Sequence, residues 1–218
     1  FIEALPSRCL PKRRMEKVTI PGRMGCLYID DGSYEPMVLT VALNLNNAAD
    51  AAGVSAWMTG HGELVFSDEP DTVYRAVVMA AQKIKRRRYQ SRNFDTLTVT
   101  FECDPCRYTV DEAVIQPESG GTIANPGTLP ALPLLRLTCG EGDGEITLGG
   151  ARVALTMAAA CVVLIDCEAR LACVEGTSER GTLTLTDRLW PEIPVGSSAI
   201  SWTGCISSVL VEPRFRWL

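Results

Sequence analysis

Short segments in which apolar and polar residues alternate, separated by turn-forming residues, fill residues 134–217 and constrain the fold more than any other feature. They read LLRLTC, GEITLGG, ARVALTM, CVVLIDC, ARLACVE, GTLTLTD, SAISWTG and ISSVLVEPRFRW. Successive side chains of a strand point to opposite faces, so each segment is typical of a half-buried strand. Short strands at such regular intervals predict a β-sandwich.

The chain is long enough for two domains. Its 218 residues, 46% of them apolar, allow two packed cores of ordinary size. Eighteen glycines and thirteen prolines, with no long helical pattern, favour a mostly β protein. The many turn formers in residues 117–133 predict a linker and a first strand. We therefore expect a first domain over residues 1–116 and a second over residues 117–218, in which residues 206–218 either complete the sandwich or return to the first domain.

Residues 1–46 predict strands joined by turns. The basic run Lys12–Arg14 leads into KVTI, and it either binds an acidic neighbour or protects a strand edge with charge, of which the second is commoner. Pro21-Gly22 predicts a turn. Asp30–Ser33 predicts a second turn before the alternating strand MVLTVALNL.

Two stretches of the first domain have helical character. NAADAAGVSAWM, capped by Asn46 or Asn47, predicts one short helix that packs on the sheet. The residues of Val77–Gln90 leave helix or strand open, since Ala80–Arg88 suits a helix by propensity.

Between these stretches the chain predicts a tight turn and a hairpin. Gly60 and Gly62 permit the positive backbone dihedrals that a sharp reversal needs. The apolar strand Glu63–Ser67 is followed by Asp68–Asp71, whose proline and acidic side chains favour a turn, and then by a strand led by Tyr74.

Charge and cysteine usage narrow the class of function. The formal net charge of −5 disfavours a nucleic-acid-binding protein, which usually carries a strongly basic face. No apolar run reaches the roughly 18 residues of a membrane span. Nine cysteines, an odd number at scattered spacings, indicate thiols in a reducing cytoplasm rather than a secreted disulfide framework. The first residues do not resemble a signal peptide.

No residue pattern predicts a catalytic, cofactor or metal site. Cys103-Asp104-Pro105-Cys106 lacks the second ligand pair that zinc requires. His61, the only histidine, has no nucleophile motif beside it. Asp166 lies among apolar residues and is interpreted as ending a strand and capping a turn, while no spacing singles out a glycosidase-like carboxylate pair. We therefore expect a protein that is not an enzyme.

Six motifs occur in the order in which one known family carries them. They are IPGRMG (20–25), DDGSYEP (30–36), the stretch 54–76, VTFECDPC (99–106), ANPGT (124–128) and EPRFRWL (212–218). With them the chain resembles, over nearly its whole length, the distal tail (Dit) proteins of long-tailed bacteriophages, the siphophages, including prophage copies. The resemblance implies a β-rich ring-forming first domain with one short helix, a galectin-like β-sandwich as the second domain, and a strand rather than a helix over Val77–Gln90.

The resemblance also implies a structural function. Copies would form a ring, taken as a hexamer, that joins the tail tube to the tail-tip baseplate and the host-adsorption apparatus. The implied partners are the protein itself, the tail tube protein, a tail-associated lysin, fibre or hub protein, and the receptor-binding apparatus, with no cofactor and no specific nucleic acid or membrane. The implied location is the virion tail tip, after assembly in the host cytoplasm.

A closed ring requires a heterologous interface, in which one face of each subunit meets a different face of the next. Edge strands are natural candidates, because their unpaired backbone groups can extend a sheet across subunits. The residues we expect near this contact are an apolar set and a basic set: Trp57, Met58, Leu64 and Val65, and Lys83, Lys85 and Arg87.

The alternative function is that of a carbohydrate-binding module in a cell-surface adhesion device. Trp190 and Trp202 of the second domain could stack on a sugar, although buried or interfacial aromatic residues are commoner.

Overall fold

The computed structural model describes residues 2–4, 10–45, 53–54, 56, 58–78, 83–89, 92–176, 182–185 and 189–218. These residues form antiparallel sheets almost throughout, so the prediction of a mostly β protein is confirmed. The chain divides into two compact units: unit 1 is Phe1–Arg107 with Leu218, and unit 2 is Tyr108–Trp217. None of the helices within the described ranges is long and apolar enough to cross a membrane.

Unit 1 is built on one large sheet and a separate hairpin. Its strands are β1 (Ile2–Ala4), β2 (Arg13–Val18), β3 (Leu27–Tyr34), β4 (Met37–Leu45), β5 (His61–Phe66), β6 (Glu69–Val78), β7 (Lys83–Tyr89), β8 (Arg92–Cys103) and β9 (Arg107–Thr109), within which unit 2 begins. In the large sheet β4 lies between β1 and β8, both β6 and β7 pair with β8, and β5 pairs with β6. β2 and β3 pair with each other in a two-stranded sheet.

One face of the large sheet carries the core of unit 1. Along β4, Met37, Leu39 and Val41 are buried while Val38 and Thr40 between them are exposed. β8 shows the same alternation, with Val99 and the other odd-numbered positions from 97 to 103 buried. The alternation predicted for MVLTVALNL is therefore confirmed, and apolar burial on this face stabilises the unit.

The predicted hairpin is formed by β5 and β6, but its turn is shorter than expected. Ser67 and Asp68 form the turn, and Glu69 already begins β6. Gly60 adopts φ +86°, the conformation predicted for the reversal before β5, whereas the same prediction is wrong for Gly62, which lies inside β5 without a positive φ. Of the short helix, residues 53, 54 and 56 are helical and the N–H of Met58 donates to Val54 O at 3.0 Å, while residues 46–52, 55 and 57 lie outside the described part.

The ambiguous stretch Val77–Gln90 is extended wherever it is described. β6 runs to Val78 and β7 begins at Lys83, and β7 pairs with β8 from Lys83 opposite Thr98 to Tyr89 opposite Arg92. The preference for strand over helix is thus confirmed on both sides of residues 79–82, which are not described.

The hairpin of β2 and β3 departs from the prediction at Asp30–Ser33. Pro21 and Gly22 form the expected turn, with Gly22 at φ +80°. Asp30–Ser33, however, is a bulge inside β3 and not a turn between strands, because Arg13 is paired with Tyr34 but Met15 with Asp30. Aspartate side chains stabilise local backbone reversals of either kind, so residue type alone does not separate a bulge from a turn.

The strands of unit 2 cover the segments that alternate in the sequence. They are β10 (Thr122–Asn125), β11 (Leu134–Leu148), β12 (Ala151–Met157), β13 (Cys161–Asp166), β14 (Leu171–Val174), β15 (Thr182–Leu185), β16 (Gly196–Glu212) and β17 (Arg216–Trp217). β11 pairs with β16 along most of its length, while its first half also pairs with β13 and its second half with β12. β10 flanks β16, β15 flanks β12, and β14 flanks β13.

A bend in β11 and β16 folds this sheet into two layers around one core. Before the bend Leu135, Leu137 and Cys139 are buried, and after it Ile146 and Leu148 are buried, so burial switches from odd to even positions. The switch falls where the pairing with β16 skips, between Cys139 and Gly144. The apolar residues of both halves therefore face the same core.

The breaks predicted between LLRLTC and GEITLGG, and between SAISWTG and ISSVLVEP, are wrong. Each pair forms a single strand, β11 or β16, that passes through the bend. Glycines stand at the bend, with Gly142 at φ +113° and Gly204 at φ +72°, and they redirect the ladder without ending it. Residues 206–212 pair with β11 and lie in the sandwich of unit 2.

Candidate assembly surface

The predicted apolar contact residues lie in different environments. Met58 and Leu64 are partly buried and pack against the core of unit 1. Val65 is 50% exposed on β5, and Trp57 lies outside the described residues. Val65 therefore offers apolar surface to a partner, whereas Met58 and Leu64 stabilise unit 1 itself.

The predicted basic contact residues share one face of β7. Lys83, Lys85 and Arg87 occupy every second position of β7, and such positions share one face of a strand. They stand opposite Thr98, Thr96 and Phe94 of β8. The side chain of Lys85 is exposed, and those of Lys83 and Arg87 are outside the described part. Within the described part of β7, Lys85 thus places one positive charge at the surface.

A groove of about 320 Å³ opens on unit 1 beside the start of β5. Val77 and Pro36 contribute exposed apolar surface, whereas Ala76 and Cys103 are buried. Its charged lining consists of three carboxylates, Glu63, Glu102 and Asp104, against one guanidinium, Arg75, with the imidazole of His61 beside them. Glu63 stands opposite Arg75, and Val77 is opposite both His61 and Glu102, so pairing of β5, β6 and β8 brings these side chains to one face. The groove, hereafter the acidic groove, is suited to an apolar group that carries a positive charge.

The β2–β3 hairpin exposes large apolar side chains along its whole length. Met15 is 52% exposed, Tyr28 61%, Ile29 49% and Met24, at the tip, 99%. The first three of the eight residues of β3 read LYI, and three consecutive apolar residues cannot all face one side of a strand. A two-stranded hairpin is marginally stable alone in water, and contiguous apolar exposure usually marks an interaction site.

Sequence reasoning missed both the acidic groove and the apolar surface of this hairpin. The groove collects residues from β5, β6 and β8 that are far apart in the chain, and only the strand register brings them together. The run LYI was the one available signal for the hairpin, because the lack of alternation contradicts a strand packed on one core.

The residues with potential chemistry have structural environments. Cys103 is 1% exposed and Cys106 7%, and burial, with the Asp104 charge, raises the pKa of Cys103 to about 11. A reactive thiol needs a lowered pKa, so Cys103 is protonated and unreactive at neutral pH. His61 is exposed at the rim of the acidic groove. Within the described ranges, no three His, Cys, Asp or Glu side chains are grouped to hold a metal ion.

Asp166 ends β13 and caps the turn that follows. Its Oδ1 accepts hydrogen bonds from the backbone N–H groups of Glu168 (3.0 Å) and Ala169 (2.9 Å), and Arg214 donates to Oδ1 and Oδ2 at 2.9 and 3.2 Å. Burial favours the neutral acid, but the hydrogen bonds from Arg214 and Ala169 outweigh it, and the pKa of Asp166 lies below its usual 3.8. The interpretation of Asp166 as a strand end and turn cap is confirmed.

The two tryptophans considered for sugar stacking both pack against the core of unit 2. Trp190 and Trp202 are partly buried there. Their rings therefore contribute to folding stability, which is the commoner role of such aromatic residues.

Comparison with known proteins identifies the fold. No protein-family model and no curated protein matches the chain. Among solved structures, the chain is similar to the SPP1 Dit protein (gp 19.1), described as a paradigm of the hub adsorption apparatus in phages that infect Gram-positive bacteria. The TM-score is 0.78 at 16% sequence identity, and the match covers 100% of this chain and 93% of that one. The protein therefore has a Dit-like fold along its entire length.

Proposed function

We propose that the protein is a structural component of a phage tail tip whose copies form a ring, taken as a hexamer, between the tail tube and the host-adsorption apparatus. The observation that carries this proposal is the match to SPP1 Dit, a hub adsorption protein, over 100% of the chain. A match confined to one domain would indicate only a shared building block, whereas this match extends over both units of the chain.

The surfaces of unit 1 support the same function. The apolar β2–β3 hairpin and the exposed Val65 offer apolar surface that a partner would cover, and Lys85 adds an exposed positive charge. Large exposed apolar areas are rare on monomeric proteins and common where subunits assemble. We assign ring formation to the first domain and outward contacts to the galectin-like second domain.

The partners follow from this position. One face of the ring would contact the tail tube protein, and the other a tail-associated lysin, fibre or hub protein and the receptor-binding apparatus. The protein would be assembled in the cytoplasm of its host and would then reside at the virion tail tip, from a phage or a prophage. Its action is stable, repeated contact and not turnover of a substrate.

Native mass spectrometry of the purified protein, with negative-stain images, tests the proposal. Closed rings of one defined stoichiometry support it. A protein that stays monomeric at its solubility limit and does not bind a tail tube protein overturns it. A glycan-array screen run in parallel tests the carbohydrate-binding alternative, for which the packing of Trp190 and Trp202 on the core offers no support.

A further inference from the structure

The tip of the β2–β3 hairpin combines an unburied apolar side chain with a positive charge. Met24 is 99% exposed, and Arg23 next to it has no ion pair within the described part of the chain. The turn is ordered, since the N–H of Arg23 donates to Ile20 O at 3.1 Å. A methionine side chain is flexible and polarisable, and it fills irregular apolar gaps well.

The shape of the hairpin is stabilised at its base. Lys12 Nζ lies 3.1 Å from the Glu35 carboxylate, and the N–H of Glu35 donates to Lys12 O at 2.7 Å. In the bulge, Asp30 Oδ1 accepts from Gly32 N at 2.8 Å, and Arg13 Nε lies 3.1 Å from Asp30 Oδ2. Contacts within the hairpin therefore stabilise it, although its large apolar side chains remain exposed.

The acidic groove is complementary to this tip. Val77 and Pro36 give it an exposed apolar surface, and Glu63 and Glu102 have no ion pair among the described residues. A groove of about 320 Å³ is large enough for one unbranched side chain and part of a second. Carboxylates at its rim favour a guanidinium, which forms directed hydrogen bonds with them.

The tip of one chain does not fill its own groove. Pro36, which lines the groove, directly follows the base of the hairpin. The paired strand Arg13–Val18 separates base from tip by six residues, about 20 Å at 3.4 Å per residue. Met24 is free of contacts in this arrangement. Folding back would break the β2–β3 ladder, so the occupant of the groove must come from another molecule.

We propose that Met24 and Arg23 at the hairpin tip of one copy dock in the acidic groove of the next copy. This inference rests on the proposed ring and names its contact: Met24 lies on Val77 and Pro36, and Arg23 pairs with Glu102 and Glu63. Every copy carries one tip and one groove, so the contact repeats around the ring.

Reversing the charges of the tip and the groove, and measuring self-association of each variant, tests the proposal. The variants are Met24→Ser, Arg23→Glu, Glu102→Arg, and Arg23→Glu with Glu102→Arg in one chain. Arg170→Glu, an exposed residue of unit 2, is the control for the same change in charge. Self-association is followed by analytical ultracentrifugation, and thermal unfolding shows that each variant is folded.

We expect Met24→Ser and each single reversal to weaken association at least ten-fold, the double reversal to restore it, and the control to leave it unchanged. Wild-type rings that persist in Met24→Ser and in both single reversals overturn the docking contact and leave the ring proposal standing. Wild-type protein that does not associate at its solubility limit and does not bind a tail tube protein overturns both.

Discussion

Replacing Gly204 with alanine tests the bend that folds unit 2 into two layers. Gly204 pairs with Gly144 where β16 passes over β11, and its φ of +72° is unfavourable for any residue with a Cβ. A Cβ at this position would stand 2.1 Å from Asp143 O and 2.9 Å from the Gly144 Cα. Alanine therefore meets both a dihedral penalty and a backbone clash.

The dihedral penalty and the backbone clash each have a magnitude that can be given separately. The left-handed conformation costs an alanine about 1 kcal/mol. Relieving a contact of 2.1 Å requires β11 and β16 to move apart by roughly 1 Å, and overpacking of this kind costs about 2 to 3 kcal/mol more. We expect Gly204→Ala to lower the free energy of unfolding of unit 2 by about 3 to 4 kcal/mol.

Gly176→Ala is the matched control. Its φ is +79°, nearly that of Gly204, but nothing lies within 4 Å of its added Cβ. Urea unfolding followed by tryptophan fluorescence, with Trp202 two residues from the bend, measures both variants. A loss of about 1 kcal/mol in Gly176→Ala and a much larger loss in Gly204→Ala is expected. Equal losses would refute the close approach of β16 and β11.

Two further substitutions and one thiol reagent test local contacts. Arg214→Met should cost about 2 kcal/mol of unfolding free energy at pH 7. Because Arg214 lowers the pKa of folded Asp166, this difference is present above pH 3.8 and should disappear as the pH falls through the folded pKa, which urea titrations across pH will show. Asn125→Ala should cost about 3 kcal/mol, since its buried amide donates to Leu129 O and Ile193 O, and thermal unfolding measures this. Cys103, with a pKa of about 11, should react with iodoacetamide at pH 7 only after unfolding, as peptide mass spectrometry would detect.

The sequence predicts a structural feature well when that feature depends on residues that are close together along the chain. MVLTVALNL alternates because one face of β4 meets the core and the other does not, so its strand is visible in the residues themselves. The β5–β6 hairpin is equally local, because its glycines and its turn lie next to the strands they connect.

Features that depend on pairing between distant strands are not visible in this way. The glycines from 140 to 144 have the composition of a turn, yet β16 lies alongside and keeps β11 continuous through them. The acidic groove likewise requires Glu63, Val77 and Glu102 to meet across three strands. Exposure of Met24 is a property of the fold and has no signature in residue type.

The docking contact makes a prediction about symmetry that differs from that of an ordinary dimer. Tip and groove are different surfaces of one chain, so the contact is heterologous and two copies cannot satisfy each other through a single shared patch. A chain with Met24→Ser has a defective tip and an intact groove, and a chain with Glu102→Arg has the reverse. When the two variants are mixed in equal amounts, the intact tip of the Glu102→Arg chain can dock in the intact groove of the Met24→Ser chain. The remaining tip and the remaining groove are both defective, so no third chain can add. Native mass spectrometry should therefore show a one-to-one heterodimer. Rings in the mixture, or homodimers of either variant, would contradict a tip-to-groove contact.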